Sequence, residues 1–325
     1  MDYIQTITAP IKADLDEFKR RFQESLTHTD GLLSNALGHI RSRAGKQLRP
    51  ILTLLTARNY GDICDVTHLS AVALELLHTA SLVHDDVVDE SSERRGLPSI
   101  NASYNNKVAV LVGDYVLSTC LLNASYAHNH QIMLTLSQLG RTLAAGEILQ
   151  LQNISNADFS EDVYYEVIHQ KTAALFAACA SIGAMSVKAP EKEVDAAREF
   201  GHDIGMIFQI RDDIFDYYDS PEVGKPTGND MMEGKLTLPV LYALKETPIP
   251  SMVTLARKVK ARTINSDEIA VLVDYTKQAG GIEHAEQRMR DIYQKARFYI
   301  DENVKKTDIR DALSAYLDYV MLRSF

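Results

Sequence analysis

Proline constrains the fold of this chain more than any other residue, because it is so rare. Only nine prolines punctuate the 325 residues, and none lies between Pro98 and Pro190. Since proline interrupts helices and marks turns, its absence over so long a stretch favours long helices. No stretch alternates apolar and polar residues for long enough to predict a sheet. The sequence therefore predicts one all-α domain, residues 1–325, built on a large central helical bundle.

The composition argues against several classes of protein. Asp and Glu number 44 and Lys and Arg 34, which gives a formal net charge of −10. Nucleic-acid-binding domains usually carry a basic surface, so we expect no nucleic-acid partner. The three cysteines, Cys64, Cys120 and Cys179, are scattered along the chain. This spacing argues against a disulfide framework or a cysteine zinc site and favours a reducing cytoplasm.

Neither the N-terminus nor the most apolar segment predicts a membrane span. Residues 1–18 have no basic start followed by an apolar stretch, so we expect no secretory signal. The apolar segment Thr172–Val187 is shorter than a typical spanning helix and is rich in Ala and Ser, which favours a buried core helix. We expect a protein without a transmembrane segment, whose contact with a membrane surface would be peripheral.

Helix predictions follow the spacing of apolar residues. The clearest covers residues 67–91, where apolar residues recur at steps of three and four. Further helices are predicted within 11–28, 32–43, 47–59, 103–127, 131–152, 161–187, 191–218 and 281–323. Residues 219–237 are rich in proline and glycine and predict a long loop. Loops of that length in compact domains are usually functional.

Two segments have the form DDxxD, and both lie on predicted helices. They are Asp85, Asp86 and Asp89, and Asp212, Asp213 and Asp216. In a helix, residues four apart share a face, so the first and third aspartates of each motif project side by side. Like charges at this spacing destabilise an isolated helix, and oxygen ligands of this kind favour Mg²⁺. A solvated acidic face explains one such motif, but two copies among apolar neighbours favour the walls of one cavity.

Basic residues accompany the acid motifs. They are Lys46, Arg49, Arg94, Arg95, Lys171, Lys225 and Lys235. Arginine suits bidentate contacts with phosphate, and lysine acts as a point charge. The set predicts a phosphorylated ligand bridged to the aspartates by several Mg²⁺ ions, although each residue taken singly is more often a solvated surface charge. His78 is explained equally well by a hydrogen-bonded, half-buried histidine and by a ligand contact.

These motifs resemble those of the trans-isoprenyl diphosphate synthases. The segments concerned are LLHTASLVHDDVVDESSERRGLPS, FQIRDDIFDY and GKPTGNDMMEGKLTLP, with GKQLRP, GDYVLS, GEILQLQ and QKTAALF in the expected order. The resemblance is specific from about Gly45 to Leu241 and weaker as far as Arg323. It implies an isoprenoid-synthase helical bundle around a deep central cavity, usually a homodimer. It also implies the elongation of an allylic diphosphate by isopentenyl diphosphate.

The resemblance implies roles for individual residues. Those that would hold about three Mg²⁺ ions per active site are Asp85, Asp89 and Asp212, supported directly or through water by Asp86, Asp213 and Asp216. Those that would bind the allylic diphosphate are Arg94, Lys171, Lys225 and Lys235. Those that would bind isopentenyl diphosphate are Lys46, Arg49, His78 and Arg95. Thr172 and Gln209 would flank the reacting carbon, and the catalytic set is Asp85, Asp86, Asp89, Lys171, Thr172, Gln209 and Asp212.

The segment GKQLRP departs from the family's common GGKRxRP. The differences fall at Ala44 and Gln47, whereas the functional Lys46 and Arg49 are present. We therefore expect an altered affinity for substrate without a loss of activity.

Residues next to the first acid motif bear on the length of the product. Ala80 and Ser81, just before Asp85, are both small. In the family, bulky residues near this position stop growth at short chains, so we expect a long-chain, all-trans polyprenyl diphosphate. Leu77 and Leu74 would form a deeper floor or part of the wall. The alternative is that Ala80 and Ser81 merely allow close helix packing.

Other functions explain less of the sequence. The nearest alternative is a short-chain synthase that makes farnesyl or geranylgeranyl diphosphate. A terpene cyclase would leave the set for a second diphosphate redundant. The His84–Asp85 doublet matches helical metal phosphohydrolases but leaves the second DDxxD unexplained. A partner subunit of a heteromeric synthase could lose the acid motifs, whereas both are complete here.

Overall fold

The computed structural model describes residues 3–42, 45–94, 96–156, 158–218 and 227–323, and these are almost entirely helical. The helices are α1 (Tyr3–Thr8), α2 (Lys12–Ser25), α3 (Gly31–Arg41), α4 (Leu48–Tyr60), α5 (Asp65–Val88), α6 (Ile100–Ser103), α7 (Asn106–Tyr126), α8 (His130–Ser155), α9 (Glu161–Ile168), α10 (Ala174–Ser186), α11 (Glu191–Phe215), α12 (Asn229–Met232), α13 (Leu238–Glu246), α14 (Pro250–Lys260), α15 (Ser266–Gln278), α16 (Gly281–Asn303) and α17 (Thr307–Leu322). A 3₁₀ turn, Ala9–Ile11, joins α1 to α2, and a π-helical turn, His169–Ala173, joins α9 to α10. The all-α prediction is confirmed.

One short hairpin interrupts the helices where the sequence predicts only a loop. Its strands β1 (Glu93–Arg94) and β2 (Leu97–Pro98) pair antiparallel, with Arg94 opposite Leu97. Gly96 in the turn has φ +74°, a left-handed conformation that glycine adopts without steric cost. The hairpin follows the C-terminus of α5 directly and so carries Arg94 back towards the first acid motif.

The predicted helices are present, but α1, α6 and α12 to α15 were missed. The prediction over 161–187 is divided by the π-helical turn, and that over 281–323 by a break at residues 304–306. The sequence analysis assigns no helix between residues 238 and 280, where α13 to α15 lie. Pro239 and Pro250 sit in the first turns of α13 and α14. A proline is tolerated there because the N–H that it lacks would have no partner within the helix.

The chain divides into two compact units. The first comprises residues 1–140, 175–201 and 302–313. Within it, α5 packs against α7, α4 and α2. Its most buried apolar side chains include Phe18, Leu52, Leu55, Val72, Leu76, Phe176 and Phe200. Helix α5, which carries the first acid motif, is therefore the central helix of this unit.

Helix α10 confirms the prediction of a buried core helix. All of its residues after Ala174 are buried. Gly183 lies so close to α4 that a Cβ atom would stand 2.4 Å from the Thr53 carbonyl oxygen. A side chain at this position would therefore force the helices apart.

The second unit comprises residues 141–174, 202–301 and 314–325. Within it, α15 packs against α13 and α14, and α13 also contacts α9. Its buried side chains include Ile207, Tyr217, Leu238, Val240, Leu272 and Tyr316. This unit carries the second acid motif, near the C-terminal end of α11. The single domain and its deep central cavity stay predictions.

Two helices of the described chain, α5 and α7, are long and apolar enough to cross a membrane by length and composition. In α5, 67% of the apolar window is buried, as is usual for a core helix of a soluble protein. In α7 only 33% is buried. The exposed apolar side chains of α7 are Val110, Leu111, Leu121, Leu122 and Tyr126. Because Leu111 and Leu122 are eleven residues apart, about three turns, they lie on one face of the helix.

Candidate active site

The aspartates of the first motif differ in their surroundings. Asp85 is half-buried and Asp89 is exposed at the C-terminus of α5, where its N–H donates to the Asp85 carbonyl oxygen at 2.8 Å. Asp86 is only 2% exposed, and Arg94 Nε donates to its Oδ1 at 2.6 Å. Asn101 Nδ2 donates to the Asp86 carbonyl oxygen at 3.1 Å. The outer carboxylates therefore face away from the interior, whereas Asp86 is held inside by the hairpin.

In the second motif, too, the first aspartate is half-buried and the second is buried. Asp212 is half-buried, and its Oδ1 accepts a hydrogen bond from the Arg323 guanidinium. Asp213 is buried, with Tyr164 Oη donating to its Oδ2 at 2.6 Å and Gln209 Nε2 to its Oδ1 at 2.8 Å. Burial raises the pKa of the Asp213 carboxyl well above its usual value, and the neighbouring Asp230 raises it further. Asp213 is therefore held by protein partners, and its supporting role at the metal stays a prediction.

Asp216 holds the segment that follows the predicted loop. Its Oδ1 accepts from the Asn229 N–H at 3.0 Å and its Oδ2 from the Asp230 N–H at 3.1 Å. Both N–H groups belong to the first turn of α12, where the helix leaves donors without helical partners. Each carboxylate oxygen thus accepts a hydrogen bond from the backbone, and the metal-supporting role that the resemblance implies for Asp216 stays a prediction.

The outer aspartates suit a metal that arrives together with its substrate. Among the described residues, no three His, Cys, Asp or Glu side chains stand close enough together to hold one ion. Asp85, Asp89 and Asp212 nevertheless offer hard oxygen ligands that are not fully buried. Mg²⁺ is commonly bound through one or two carboxylates plus substrate phosphates. The residues present therefore fit a Mg²⁺ ion that is coordinated by both the protein and the diphosphate.

Lys171 lies in the π-helical turn and is oriented by α8. Its Nζ contacts Glu147 Oε2 at 2.6 Å and donates to Gln150 Oε1 at 3.3 Å. Glu147 and Gln150 both belong to the segment GEILQLQ, whose role the sequence alone did not explain. Thr172, the next residue, is buried and donates through Oγ1 to Gln209 Oε1 at 2.7 Å. The turn thus presents an ion-paired lysine and a hydrogen-bonded threonine side by side.

Gly146 allows this turn to approach α8 closely. A Cβ atom on Gly146 would lie 2.7 Å from Gln170 Cβ and 3.1 Å from Lys171 N. We expect Gly146→Ala to displace Lys171, lowering activity and destabilising the protein by about 1–3 kcal/mol. The measurement is urea unfolding together with the turnover number.

Gly140→Ala is the matched control for that substitution. It lies on the same helix, and the nearest atom to its added Cβ is 3.9 Å away. Since alanine favours a helix more than glycine does, we expect Gly140→Ala to leave stability equal or higher. Equal stability and activity of the two variants would show that the Gly146 contact is unimportant.

A cavity in the second unit brings several predicted site residues together. Its volume is about 160 Å³, and its lining includes Lys171, Thr172, Gln209 and Lys235. Lys235 Nζ contacts Glu233 Oε2 at 2.6 Å. Tyr164 and Asp213 also line the cavity. Lysines and polar groups around one space are suited to a diphosphate ester with its reacting carbon.

A second cavity lies within the first unit. Its volume is about 70 Å³, and Gly45, Gln47, His78, Asp86 and Arg94 contribute to its lining. His78 and Arg94, predicted to bind different diphosphates, thus share one cavity. Arg49 is oriented otherwise, with its guanidinium 4.9 Å from the centre of the Phe176 ring. Lys46 is exposed.

Three positions discussed in the sequence analysis cannot be compared with the structure. Ala44, Arg95 and Lys225 lie outside the described residues. Their predicted roles stay predictions.

His84 serves packing, which weakens the phosphohydrolase alternative. Its Nε2 lies 3.2 Å from the Val110 carbonyl oxygen and 3.4 Å from Asp114 Oδ1. A Cβ on Gly113 would stand 2.2 Å from that nitrogen. Gly113 and Asp114 begin the segment GDYVLS, so this segment receives the histidine that precedes Asp85.

The residues predicted to set product length have different exposures. Ala80 is 2% exposed and Leu77 5%. Ser81 is half-buried, and its Oγ donates to the His78 carbonyl oxygen at 2.9 Å. At about 100° per residue, Ser81 lies about 40° from Asp85 around the helix and Ala80 about 140°. Ser81 is therefore the small residue that shares the face of Asp85.

Arg323 is a site residue that the sequence analysis missed. Its guanidinium lies 3.8 Å from the centre of the Phe208 ring and donates to the Phe208 carbonyl oxygen at 3.0 Å, as well as to Asp212. A cation thus already sits on the carboxylate predicted to hold Mg²⁺. No sequence spacing signals this contact, because 111 positions separate the two residues.

We expect Arg323→Met to lower the Mg²⁺ concentration required for half-maximal activity. A partly exposed ion pair contributes up to about 1 kcal/mol, so the shift should be up to about fivefold. Calorimetric titration of Mg²⁺ with pyrophosphate present gives an independent measurement. Arg211→Met is the control, because Arg211 donates to the Arg323 carbonyl oxygen and stacks on Phe215. An unchanged or higher Mg²⁺ requirement for Arg323→Met contradicts this role.

Comparisons with known proteins agree with this geometry. The profile of the family "Polyprenyl synthetase" matches residues 30–275, well over half of the chain. Heptaprenyl diphosphate synthase component 2 of Bacillus subtilis (strain 168) is 33% identical over 96% of this chain and 88% of its own.

Two solved structures are similar over nearly their whole length. The geranylgeranyl pyrophosphate synthase of Bacteroides thetaiotaomicron is 50% identical, with a TM-score of 0.88 over 99% of this chain and 100% of its own. The polyprenyl synthase of Caulobacter crescentus CB15, complexed with calcium and isoprenyl diphosphate, is 30% identical, with a TM-score of 0.91 over 99% and 98%. Motifs, fold and relatives agree, and the chain belongs to the polyprenyl synthetase family of prenyltransferases.

Proposed function

We propose that this chain is a Mg²⁺-dependent prenyltransferase that condenses an allylic diphosphate with successive isopentenyl diphosphates into a long-chain, all-trans polyprenyl diphosphate. Divalent-metal binding and the two classes of substrate belong to the family as a whole. The observation that supports the proposal is that the first two aspartates are arranged alike in the two DDxxD motifs. In each, the first aspartate is half-buried and the second is buried among protein partners.

The outer aspartates supply the metal ligands in this proposal. Asp85, Asp89 and Asp212 would hold about three Mg²⁺ ions, each bound through one or two carboxylates plus diphosphate oxygens. When bound, Mg²⁺ neutralises the negative charge that develops on the departing pyrophosphate. Asp86, Asp213 and Asp216 would support these ions directly or through water, and Asp86 also keeps Arg94 in place.

The chain's own residues bind and orient the substrates. Lys171 and Lys235 line the cavity of the second unit and would bind the allylic diphosphate together with Arg94 and Lys225. Lys46, Arg49, His78 and Arg95 would bind isopentenyl diphosphate. Holding two reactants close and aligned converts a bimolecular step into an effectively unimolecular one. The C–O bond of the allylic ester breaks, a C–C bond forms, and the proton lost afterwards goes to pyrophosphate.

Thr172 and Gln209 would stand beside the carbon that becomes positively charged. The Thr172–Gln209 hydrogen bond holds their oxygen atoms in place, so the oxygen dipoles can stabilise the positive charge electrostatically. A cavity that excludes water protects this cation from hydrolysis. Burial raises the pKa of the Cys179 thiol to about 12, and Cys120 likewise to about 12, so neither is a reactive thiolate. The chemistry requires no protein nucleophile.

The length of the product is inferred from residues beside the first acid motif and from the relatives. Small residues at Ala80 and Ser81 support a long product, and the curated Bacillus relative is named for a heptaprenyl chain. The second candidate is a short-chain synthase, favoured by the 50% identity to a structure titled as a geranylgeranyl pyrophosphate synthase.

Chromatography of dephosphorylated products decides between them. The purified chain would be incubated with Mg²⁺, farnesyl diphosphate and isopentenyl diphosphate. Polyprenols well beyond geranylgeraniol support the long-chain proposal, whereas geranylgeraniol as the end product supports the second candidate. Water-dependent loss of diphosphate without isopentenyl diphosphate would point to a hydrolase, and no turnover by the chain alone would point to a required second subunit.

We also propose that the protein is a cytoplasmic homodimer and that residues 1–325 form one polyprenyl synthetase domain. The exposed apolar side chains of α7 support a dimer, since exposed apolar patches often mark interaction sites. The family profile spans parts of both compact units, which supports one domain. Free thiols suit a reducing cytoplasm. Product release would then involve at most a peripheral membrane contact. Light scattering of the purified protein measures the dimer.

A further inference from the structure

The orientation of the Gln209 amide is set by a chain of hydrogen bonds. Thr172 Oγ1 donates to Gln209 Oε1 at 2.7 Å, and Gln209 Nε2 donates to Asp213 Oδ1 at 2.8 Å. Tyr164 Oη donates to the other oxygen of Asp213 at 2.6 Å. These residues lie on α9, the π-helical turn and α11, and all of them line the cavity of the second unit.

The hydrogen bonds fix one arrangement of these side chains. Both oxygens of Asp213 accept, one from Tyr164 Oη and the other from Gln209 Nε2, so the NH₂ end of Gln209 meets Asp213. The carbonyl end then faces Thr172 and can only accept. The Thr172 hydroxyl therefore donates its hydrogen bond to Gln209, and the lone pairs of its oxygen can face the cavity. The direction of the whole chain depends on Asp213.

Tyr164 holds Asp213 in the required orientation. Its hydroxyl occupies one carboxylate oxygen, which leaves the other for Gln209. Tyr164 is 5% exposed, and its ring packs edge-on against Tyr165 with centroids 5.4 Å apart. Its hydroxyl is thus rigidly placed, which is what a residue that orients another requires.

We propose that Tyr164 is a positioning residue for the condensation step, acting through Asp213 and Gln209 on the Thr172 hydroxyl. This inference rests on the proposed function of the site. With the hydroxyl hydrogen directed to Gln209, the oxygen of Thr172 presents its lone pairs to the allylic carbon as positive charge develops there. Without Tyr164 Oη the carboxylate can rotate, the amide can turn, and the threonine hydrogen can point at the cation.

The experiment compares Tyr164→Phe with Tyr165→Phe. The first removes one hydroxyl and keeps the ring. The second removes the hydroxyl of an adjacent tyrosine that accepts from Arg288 Nε at 3.2 Å. Single-turnover condensation rates, KM for both substrates and thermal midpoints are measured for each. We expect Tyr164→Phe to lower the condensation rate about tenfold, the usual effect of losing an orienting partner, with both KM values within about twofold. Tyr165→Phe should match the wild type.

A double-mutant cycle separates positioning from simple stabilisation. If Tyr164 acts through Gln209, adding Tyr164→Phe to Gln209→Ala causes no further loss of rate. The same tenfold loss in both backgrounds overturns the proposal, as does a lower thermal midpoint with an unchanged rate. The crystal structure of metal-free Tyr164→Phe gives a readout independent of activity, since the Thr172–Gln209 hydrogen bond should be lost.

Asp213→Leu provides a second test should Tyr164→Phe fold poorly. Leucine is similar in size but cannot accept from Gln209 or Tyr164, so the amide loses the partner that orients it, and we expect a similar loss of rate with similar KM values. A folded Asp213→Leu variant with the wild-type rate would also overturn the proposal. A wild-type protein that makes no prenyl product would refute the proposed function itself, whereas an active wild type with unchanged Tyr164→Phe refutes only this inference.

Discussion

Asp85→Ala and Asp212→Ala should each lower the turnover number by about 10²–10³-fold or more, because each removes a ligand for the metal that stabilises the departing pyrophosphate. The fold should survive both changes. Asp85 and Asp212 are half-buried at the surface of their helices, and neither fills a packed interior. The measurement is steady-state turnover at saturating Mg²⁺, with circular dichroism and thermal midpoints for each variant.

The inner aspartates are the matched controls, since they belong to the same motifs. Asp86→Ala removes the acceptor of Arg94, and Asp213→Ala that of Tyr164 and Gln209. Leaving a buried donor without its partner costs about 1–3 kcal/mol, so these variants should lose stability, which the outer ones should keep. Folded Asp85→Ala and Asp212→Ala proteins with near-normal turnover would refute the metal assignment.

The sequence predicts where the acid motifs lie but not how their members divide the work. The i, i+4 spacing suggests two equivalent outer carboxylates in each motif. In the structure, the surroundings depend on partners from elsewhere in the chain. Arg94 is 8 positions from Asp86, Tyr164 is 49 from Asp213, and Arg323 is 111 from Asp212. No local sequence pattern indicates such partners, so the burial of Asp213 among them could not be predicted from the sequence.

The segments GEILQLQ and GDYVLS resemble those of the family, but the sequence alone does not explain what their residues do. Their physical roles depend on residues that contact them from elsewhere in the chain. Gly146 and Glu147 contact the turn that carries Lys171, and Gly113 packs against His84. Helices α13 and α14 were missed, although each has a proline in its first turn, where proline is favourable.

Ala80→Phe and Ser81→Phe should shorten the product by several isoprene units. A phenyl ring next to Asp85 would close the path along which the growing tail extends from the diphosphate. Ser81 offers the better test, because it shares the face of Asp85 and is half-buried, whereas Ala80 is only 2% exposed. Forcing a ring into the packed site of Ala80 costs about 1–3 kcal/mol or more. The measurement is the chain-length distribution of dephosphorylated products.

Size-conserving substitutions at the same positions provide the control. Ala80→Ser and Ser81→Ala change the polarity but hardly the volume, so the product should keep its length. If Ser81→Phe shortens the product and Ala80→Phe does not, the tail follows the Asp85 face of α5 and the 140° offset of Ala80 places it in helix packing. If both phenylalanine variants fold and make the wild-type product, these small residues serve packing alone. The depth of the tunnel would then have to be set by residues other than these two.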